Sequence, residues 1–203
     1  MKLCTVVSIS VLTLCFAGCM NPQPADVQSS LSASPELYAT NPTNIAVLPV
    51  EDASPDRRAN PHLAHIRDEL ARALVRQSYS PFSARAVDGP LANEAIALNK
   101  DGGVTNASLL QRLAGKFGED AVLGVKIDSW DESSLMADNK VRFSSDVALL
   151  DSKGKRMLWS GHVNGEVKAG GFGPAPLDRD EKSRSAAAEF AWALIQRLPS
   201  RGK

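Results

Sequence analysis

The sequence has few cysteines and few aromatic residues. Its three cysteines, Cys4, Cys15 and Cys19, all lie in the first 19 of 203 positions. A domain formed by the rest of the chain therefore has no pair of thiols for a disulfide, and its stability must come from a hydrophobic core. Aromatic residues make up 5% of the chain, which leaves little surface for stacking nucleic-acid bases or sugars.

The chain also lacks an excess of either charge. The 23 Lys and Arg residues balance the 23 Asp and Glu residues, so no basic surplus points to nucleic acid as a partner. Hydrophobic residues make up 43% and charged residues 23% of the chain, which is typical of a globular protein rather than a disordered one. The length predicts one domain with short extensions.

Residues 1–18 are interpreted as a signal peptide. Lys2 supplies a positive charge, and residues 3–17 form an almost unbroken run of apolar and small residues. The run is short for a transmembrane helix, which needs about 20 residues, and has the length of a signal-peptide core. An uncleaved membrane anchor is the alternative interpretation.

The end of this run resembles the lipobox of bacterial lipoproteins, in which small residues precede a cysteine: Phe16, Ala17, Gly18, Cys19. The resemblance implies that the Cys19 thiol receives a diacylglyceryl group and that cleavage makes Cys19 the new amino terminus. Two or three acyl chains give stable anchoring where one would not. Met20, rather than Asp, follows the cysteine. By similarity to enteric lipoproteins, this implies an outer-membrane lipoprotein whose body faces the periplasm.

The mature chain is predicted to have three parts. Residues 19–43 carry the lipidated cysteine and a flexible tether rich in Pro, Ser, Asn and Ala, with a mean reach of roughly 25–30 Å. Residues 44–198 form the folded domain, and residues 199–203 form a tail.

Hydrophobic periodicity predicts the elements of that domain. Helices are expected from Pro61 to Ser78, from Thr105 or Asn106 to Phe117, and after a loop at 168–182. Strands are expected at 45–50, 82–87 and 121–127, followed by a hairpin over 141–164. Residues 88–104 are ambiguous, with a short helix around 91–98. This order predicts an α/β (α+β) two-layer sandwich with a mixed sheet, a C-terminal antiparallel hairpin and about three helices.

The register of the hairpin follows from matching apolar positions on one face. The expected pairs are Leu149 with Met157, Val147 with Trp159, and Phe143 with Val163.

The lipobox, the strand at 44–50, the helix over 63–74 and the passage at 118–124 resemble a group of periplasmic lipoproteins. The closest match is the hairpin Leu149–Gly161 (LLDSKGKRMLWSG). The domain of this group is similar to the amino-terminal domain of TolB, and the group includes PelC, CsgG and LpoB. The resemblance implies a non-enzymatic envelope accessory; some relatives assemble into rings beneath export channels, and one activates a peptidoglycan synthase.

Polar groupings that could carry chemistry are few. His62 and His65 have a spacing that can place two imidazoles on one helix face, but no third ligand has metal-binding spacing. Asp128, Asp131 and Glu132 follow the central strand and are interpreted as a solvated loop. The stretch at 170–174 is rich in glycine but lacks the ending of a phosphate-binding loop. The arginines and acids from Arg67 to Arg76 are interpreted as a solvated helix face.

Cys19, as a lipidation site, is therefore the single site residue predicted. No catalytic residue, cofactor or metal is expected. The first functional hypothesis is an accessory or scaffold of an envelope export or assembly system, acting through protein contacts, with self-association left open. The alternative is a tethered monomeric regulator of a periplasmic cell-wall enzyme. A third hypothesis, a periplasmic hydrolase or metal-dependent enzyme, has little support from the residues.

Overall fold

The computed structural model describes residues 26–92, 103–170 and 178–201. The predicted signal peptide, Cys19, most of the predicted helix at 91–98 and most of the glycine-rich stretch at 170–174 lie outside these residues. Predictions about them stay predictions.

An eight-stranded mixed sheet forms the centre of the domain. The main path has the order β1-β8-β7-β6-β3-β5, while β2 pairs with β8 and β4 pairs with β6. The strands from β6 to β8 are antiparallel, and β3 runs parallel to both β5 and β6. The strands are β1 Asp26–Ser29, β2 Ser32–Ala33, β3 Asn44–Val47, β4 Glu51–Asp52, β5 Ser80–Pro81, β6 Ala121–Asp131, β7 Lys140–Asp151 and β8 Met157–Lys168.

Six helices are described around this sheet, so the predicted α/β sandwich with a mixed sheet is confirmed. They are α1 Pro35–Thr40, α2 Leu63–Arg76, α3 Ala84–Leu91, α4 Ala107–Leu113, α5 Leu135–Asp138 and α6 Arg179–Ile195, with a 3₁₀ turn at Asn60–His62 before α2. Pro61 lies in that first turn. Proline is tolerated there because N–H groups in the first turn of a helix have no acceptor within the helix. Asn106 caps α4, because its Oδ1 accepts a hydrogen bond from the Ser108 N–H at 2.8 Å.

The larger core lies between one face of the sheet and the pair α2 and α6. Leu70 and Leu74 recur at helical spacing on α2 and are fully buried. Phe190 of α6 packs edge-on against Trp130 and Phe143, with ring centroids 5.7 and 4.8 Å apart. The helix periodicity read from the sequence is confirmed here.

A smaller core lies on the opposite face, where α3 and α4 cover only part of the sheet. It is formed by Ala46, Leu48, Val87, Leu91, Val104, Leu109, Leu110, Leu113, Ala114, Val122, Ala148 and Leu150. Farther along β6, β7 and β8, the side chains on this face are polar. We call this part of the surface the open face.

The strand predicted at 82–87 was wrong, because residues 84–91 form α3. Ser83 Oγ accepts a hydrogen bond from the Ala86 N–H at 3.3 Å and so starts a helix. Val87 and Leu91 then lie one turn apart and are both buried. A short segment of this kind matches strand and helix periodicity equally well, and the cap decides between them.

The predicted hairpin register was wrong by two residues. Leu149 pairs with Trp159 rather than with Met157, and the register shifts between Leu149 and Leu150. The bulge places an extra residue of β8 beside the turn. A shift of two leaves every side chain on its original face, so the apolar pattern alone could not reveal it.

The flexible tether predicted at 19–43 was also wrong from residue 26 onwards. β1 and β2 pair antiparallel with β8 and extend the sheet, and α1 follows directly. Arg197 Nη2 donates a hydrogen bond to the Val27 carbonyl at 3.0 Å and ties this segment to the end of α6. The folded domain therefore begins at residue 26 instead of residue 44.

Two glycines of β8 make room for this segment. A Cβ atom at Gly161 would lie 2.3 Å from the Ser30 carbonyl oxygen, and one at Gly165 would lie 2.3 Å from the Asp26 carbonyl oxygen. The sequence pattern of residues 26–34 concealed an edge strand. Val27 and Leu31 are the large apolar residues of this segment that pack against the larger core, and two such residues four positions apart show no strand alternation.

Candidate functional site

The acidic residues after the central strand do not form one cluster. Asp128 lies on the open face, where it contacts Lys126. Glu132 lies on the helix-covered side and contacts His62. Asp131 points to solvent between them, and its nearest cation is Arg58 at 3.9 Å. The sequence interpretation of one solvated loop was therefore wrong, because Asp128 and Asp131 belong to β6 and Glu132 is largely buried.

A bulge in β6 positions Asp128. Ile127 pairs with Ser145 and Ser129 pairs with Ser144, so Asp128 has no partner of its own across the ladder. Ile127 and Trp130 stay buried on the helix side, while Asp128 and Ser129 between them are accessible. The extra residue thus turns Asp128 outwards without losing the core position of Trp130.

The side chains of Lys126, Asp128, Ser144, Asp146 and His162 form a connected network that we call the open-face cluster. Lys126 Nζ lies 3.1 Å from Asp128 Oδ1 and 2.9 Å from Asp146 Oδ2. His162 Nδ1 lies 2.8 Å from Asp146 Oδ1, and His162 Nε2 lies 3.0 Å from Ser144 Oγ. Three adjacent strands supply the five side chains, and sequence reasoning missed the cluster because its members are up to 36 positions apart.

Electrostatics in this cluster favour the charged forms. The pKa of Lys126 is raised, chiefly because its ammonium donates a hydrogen bond to Asp146. Burial by itself would raise the pKa of Asp146, but the hydrogen bonds from His162 and Lys126 outweigh it and hold that pKa below its usual value. The carboxylate and the ammonium therefore stay ionised at neutral pH.

Ser144, His162 and Asp146 follow the hydrogen-bond order of a serine-hydrolase triad. Acyl transfer also needs N–H donors aimed at the developing oxyanion. β7 pairs with β6 on one side and β8 on the other, so the N–H groups around Ser144 lie within the ladders. The described residues at Ser144 therefore offer no oxyanion hole.

A second grouping surrounds Glu132 at the start of α2 and α6. His62 Nε2 lies 3.2 Å from Glu132 Oε1, and Trp130 Nε1 donates a hydrogen bond to the same oxygen at 3.0 Å. Arg179 Nη2 lies 3.5 Å from the other oxygen. These groups border a cavity of about 480 Å³, lined by Arg58, Pro61, His62, Glu132, Ser133, Arg179, Asp180 and Ser183.

The donors around Glu132 stabilise its ionised form. The hydrogen bond with His62 is the largest cause, and with those from Trp130 and Ser183 it outweighs burial and lowers the pKa of Glu132 to about 2. A carboxylate that holds no proton near neutral pH is poorly suited to general acid catalysis. The Glu132 side chain instead joins β6 to the helix starts.

The two histidines of the α2 region do not share a ligand. His62 is only 16% exposed and faces Glu132, so the interpretation of two solvated histidines was wrong for it. His65 Nε2 lies 3.2 Å from the Arg184 carbonyl oxygen and 3.9 Å from Glu69 Oε1. The i, i+3 spacing therefore reflects two separate structural contacts.

Glu189 of α6 is a half-buried acid that neither grouping uses. Its Oε1 is buried and accepts no hydrogen bond. Burial raises its pKa to about 7, and the nearby Arg76 charge offsets this only in part. The folded protein therefore holds a proton on Glu189 at a pH at which the unfolded chain has lost it.

We expect Glu189→Gln to stabilise the protein at pH 8 and to leave it nearly unchanged at pH 5. Because the folded-state pKa is raised from 4.5 to about 7, wild-type stability falls as pH rises through that window. The gain for the Gln variant at pH 8 should be about 1–2 kcal/mol after allowance for partial exposure. Urea unfolding at both pH values measures it.

Glu181→Gln is the matched control, because Glu181 is exposed on the same helix. It should not change the pH dependence. Equal stability of wild type and Glu189→Gln at pH 8 would contradict the expected burial of a charge.

The chain enters the domain at the end of the sheet that carries the Glu132 cavity. Asp26 pairs with Glu166 on β8, Glu166 pairs with Arg142 on β7, and Arg142 pairs with Asp131 on β6. Asp131 directly precedes Glu132. Among the described residues, no helix has the length and apolar character needed to cross a membrane.

The family model described as GNA1162-like, a lipoprotein family, matches residues 34–171. The match spans more than half of the chain, and the chain belongs to this family. The resemblance to the lipoprotein group is thereby confirmed. No curated protein matches the sequence.

Three solved structures are similar to this chain. Lipoprotein GNA1162 from Neisseria meningitidis is 24% identical, with a TM-score of 0.47, and the likeness covers 63% of this chain and 84% of that one. The PelC dodecamer from Paraburkholderia phytofirmans is 10% identical, with a TM-score of 0.45 and coverage of 84% and 97%. E. coli LpoB is 14% identical, with a TM-score of 0.42 and coverage of 83% and 82%. At this level of similarity, none of the three indicates a function for this chain.

Proposed function

We propose that this GNA1162-like lipoprotein is a non-enzymatic accessory of the bacterial envelope, anchored in the outer membrane through Cys19 and acting through protein–protein contacts. Residues 1–18 are its signal peptide, and the domain faces the periplasm. The lipobox residues Phe16–Cys19 and membership of a lipoprotein family support the anchor. Self-association on the membrane belongs to the same proposal.

One observation carries the choice of a membrane-proximal role. Asp26, seven residues after Cys19, already pairs with β8. A chain spans at most about 3.4 Å per residue, so the connection reaches at most roughly 24 Å in any conformation. The domain is therefore held close to the bilayer, where it can serve as a scaffold for other envelope proteins.

The alternative, a monomeric regulator that reaches across the periplasm to a cell-wall enzyme, loses its main support. That hypothesis depended on a flexible tether over residues 19–43, most of which is folded. A regulator remains compatible with the structure if its target presents a contact surface near the membrane.

The polar groupings also favour a non-enzymatic role. Ser144 has His162 as a base and Asp146 as an orienting acid, but the described residues provide no oxyanion donors beside it. Glu132 is an ionised carboxylate that is already hydrogen-bonded by Trp130 and His62. Because Asp26 lies at the Glu132 end of the sheet, we expect this end to face the membrane and the opposite end to be available to periplasmic partners.

We expect a 20-residue Gly/Ser insertion between residues 23 and 24 to abolish cross-linking to the native partner in intact cells. The insertion lets the domain move away from the membrane surface. A scaffold would then no longer be held at a fixed distance from the membrane, where its partner binds it. Amine-reactive cross-linking followed by mass spectrometry measures the loss, with alkyne-palmitate labelling as a check that the anchor is intact.

Two cysteine variants complete this experiment. Cys19→Ser should lose the palmitate label and the membrane association, while Cys15→Ser should keep both. If the insertion leaves cross-linking unchanged, the scaffold proposal fails and the regulator is favoured. A Cys19→Ser chain that still takes the label refutes the proposed anchor.

A further inference from the structure

Three metal-ligating side chains converge on the open face. One ligand atom each of Asp128, Asp146 and His162 lies within 4.8 Å of the other two, and all three residues are partly accessible to solvent. From the geometry of this site, we propose that these side chains bind a divalent first-row metal ion, with Zn²⁺ as the best match. This proposal is independent of the proposed function.

The three ligands are held by the sheet rather than by loops. Asp146 and His162 are paired directly across β7 and β8, and the bulge in β6 presents Asp128 beside them. Ligands that project from three neighbouring strands are positioned before an ion arrives, which lowers the entropic cost of binding. Among the described residues, this is the one group of three potential ligands that converges in this way.

Lys126 already places a cation between the carboxylates. Its ammonium lies 2.9 Å from Asp146 and 3.1 Å from Asp128, so the site attracts positive charge. One ammonium neutralises only one of the two carboxylate charges. A divalent ion in its place, beside a neutral imidazole, would balance both. Lys126 carries a flexible four-carbon stem and can turn towards solvent.

Ser144 supplies the outer contact that a metal-binding histidine requires. His162 Nε2 lies 3.0 Å from Ser144 Oγ. An ion at Nδ1 would replace the hydrogen bond that joins Nδ1 to Asp146. The ring proton would then lie on Nε2 and be donated to this hydroxyl, which leaves the Nδ1 lone pair for the ion. Metal-bound histidines characteristically donate their second ring N–H to such a partner, which fixes the tautomer and the orientation of the ring.

The donor set selects the type of ion. Calcium and magnesium prefer oxygen ligands alone, whereas one imidazole and two carboxylates suit zinc, which takes three protein ligands and leaves a fourth position to water. Zinc ligands at about 2.1 Å lie roughly 3.4 Å apart in a tetrahedron. The ligand atoms of the set lie within 4.8 Å of one another, so Asp128 needs to approach the other two by at most roughly 1.4 Å. His162 Nδ1 and Asp146 Oδ1, at 2.8 Å, need to separate slightly.

The test is calorimetric titration of ZnCl₂ into the full-length chain, purified in detergent and treated with a chelator. We expect one ion per chain. Lys126→Met should bind at least tenfold more tightly, because the competing ammonium is gone. His162→Ala should bind at least tenfold more weakly, and Ser144→Ala should be weakened several-fold.

His65→Ala is the matched control, since His65 also lies beside a carboxylate, Glu69, but outside the open face. It should bind like wild type. The proposal is overturned if wild type and Lys126→Met both show no binding, if Lys126→Met binds no more tightly than wild type, or if His162→Ala and His65→Ala bind equally. Thermal unfolding of each variant without zinc confirms that the loss of binding is not a loss of folding.

Discussion

Replacement of Arg67 by methionine is expected to lower the free energy of unfolding by about 3 kcal/mol, although the new side chain fills a similar volume. Arg67 is 8% exposed, and its guanidinium group donates three hydrogen bonds. Nε and Nη2 donate to the Val47 carbonyl at 3.0 and 2.8 Å, and Nη1 donates to Asp88 Oδ1 at 2.7 Å.

The cost arises because the partners of Arg67 are left behind. The Val47 carbonyl lies at the end of β3 and accepts both of its hydrogen bonds from this one side chain, so the variant leaves it buried without a donor. Asp88 is half exposed and recovers part of its stabilisation from water. Arg67 also links α2 to α3 through Asp88, and its loss should therefore loosen the smaller core, to which α3 contributes.

Chemical denaturation measures this difference, and the melting temperature should fall by about 9 °C for a domain of this size. Arg72→Met is the control on the same helix. Arg72 is 64% exposed and pairs with Glu69, and such surface pairs contribute less than about 1 kcal/mol. A loss below about 1 kcal/mol for Arg67→Met would show that the buried hydrogen bonds add little.

Replacement of Gly124 by alanine is expected to cost about 3 kcal/mol or more, the upper range for overpacking a core. Gly124 lies in the middle of β6 opposite Ala148. A Cβ atom there would lie 1.9 Å from the Val104 carbonyl oxygen and 2.8 Å from its carbon. Both are backbone atoms, so no side chain can rotate away.

The strain must instead move the segment that leads into α4, which carries buried Leu109 and Leu110. Circular dichroism during urea unfolding gives the change in stability, and the yield of soluble protein should fall with it. A Gly124→Ala protein as stable as wild type would show that the Val104 carbonyl does not lie this close to β6.

Gly89→Ala is a control with a small expected effect. A Cβ atom at Gly89 meets nothing within 4 Å outside its chain neighbours, and Gly89 lies inside α3 directly before Pro90. Alanine is favoured over glycine in a helix by about 0.5–1 kcal/mol, but the proline ring disfavours the helical conformation of a preceding residue that has a Cβ atom. The two effects oppose each other, so the stability of this variant should lie within about 1 kcal/mol of wild type.

Local signals in the sequence determined several elements. The apolar run at 121–127 predicted the central strand, and the spacing of Leu70 and Leu74 predicted α2. A cap at Thr105 or Asn106 marked the start of α4, and the structure selects Asn106. Each of these signals is contained in a few consecutive residues, which is why periodicity and capping rules could recover it. The lipobox at Cys19 is likewise a local pattern, and its prediction rests on the sequence alone.

Tertiary contacts decided the rest. Residues 26–33 form strands because β8 offers a free edge and glycines leave space beside it, and neither fact is visible in their own composition. Arg67 is buried where it reaches the Val47 carbonyl of β3 and Asp88 of α3, whereas its helix pattern suggested solvent. The bulge at Asp128 and the pairing of Asp146 with His162 assemble the open-face cluster from distant positions. The sequence of a strand determines its own pattern of apolar and polar residues. Its neighbouring strand, the pairing register and any bulge are determined only when the whole sheet packs. The open-face cluster depends on all three of these features.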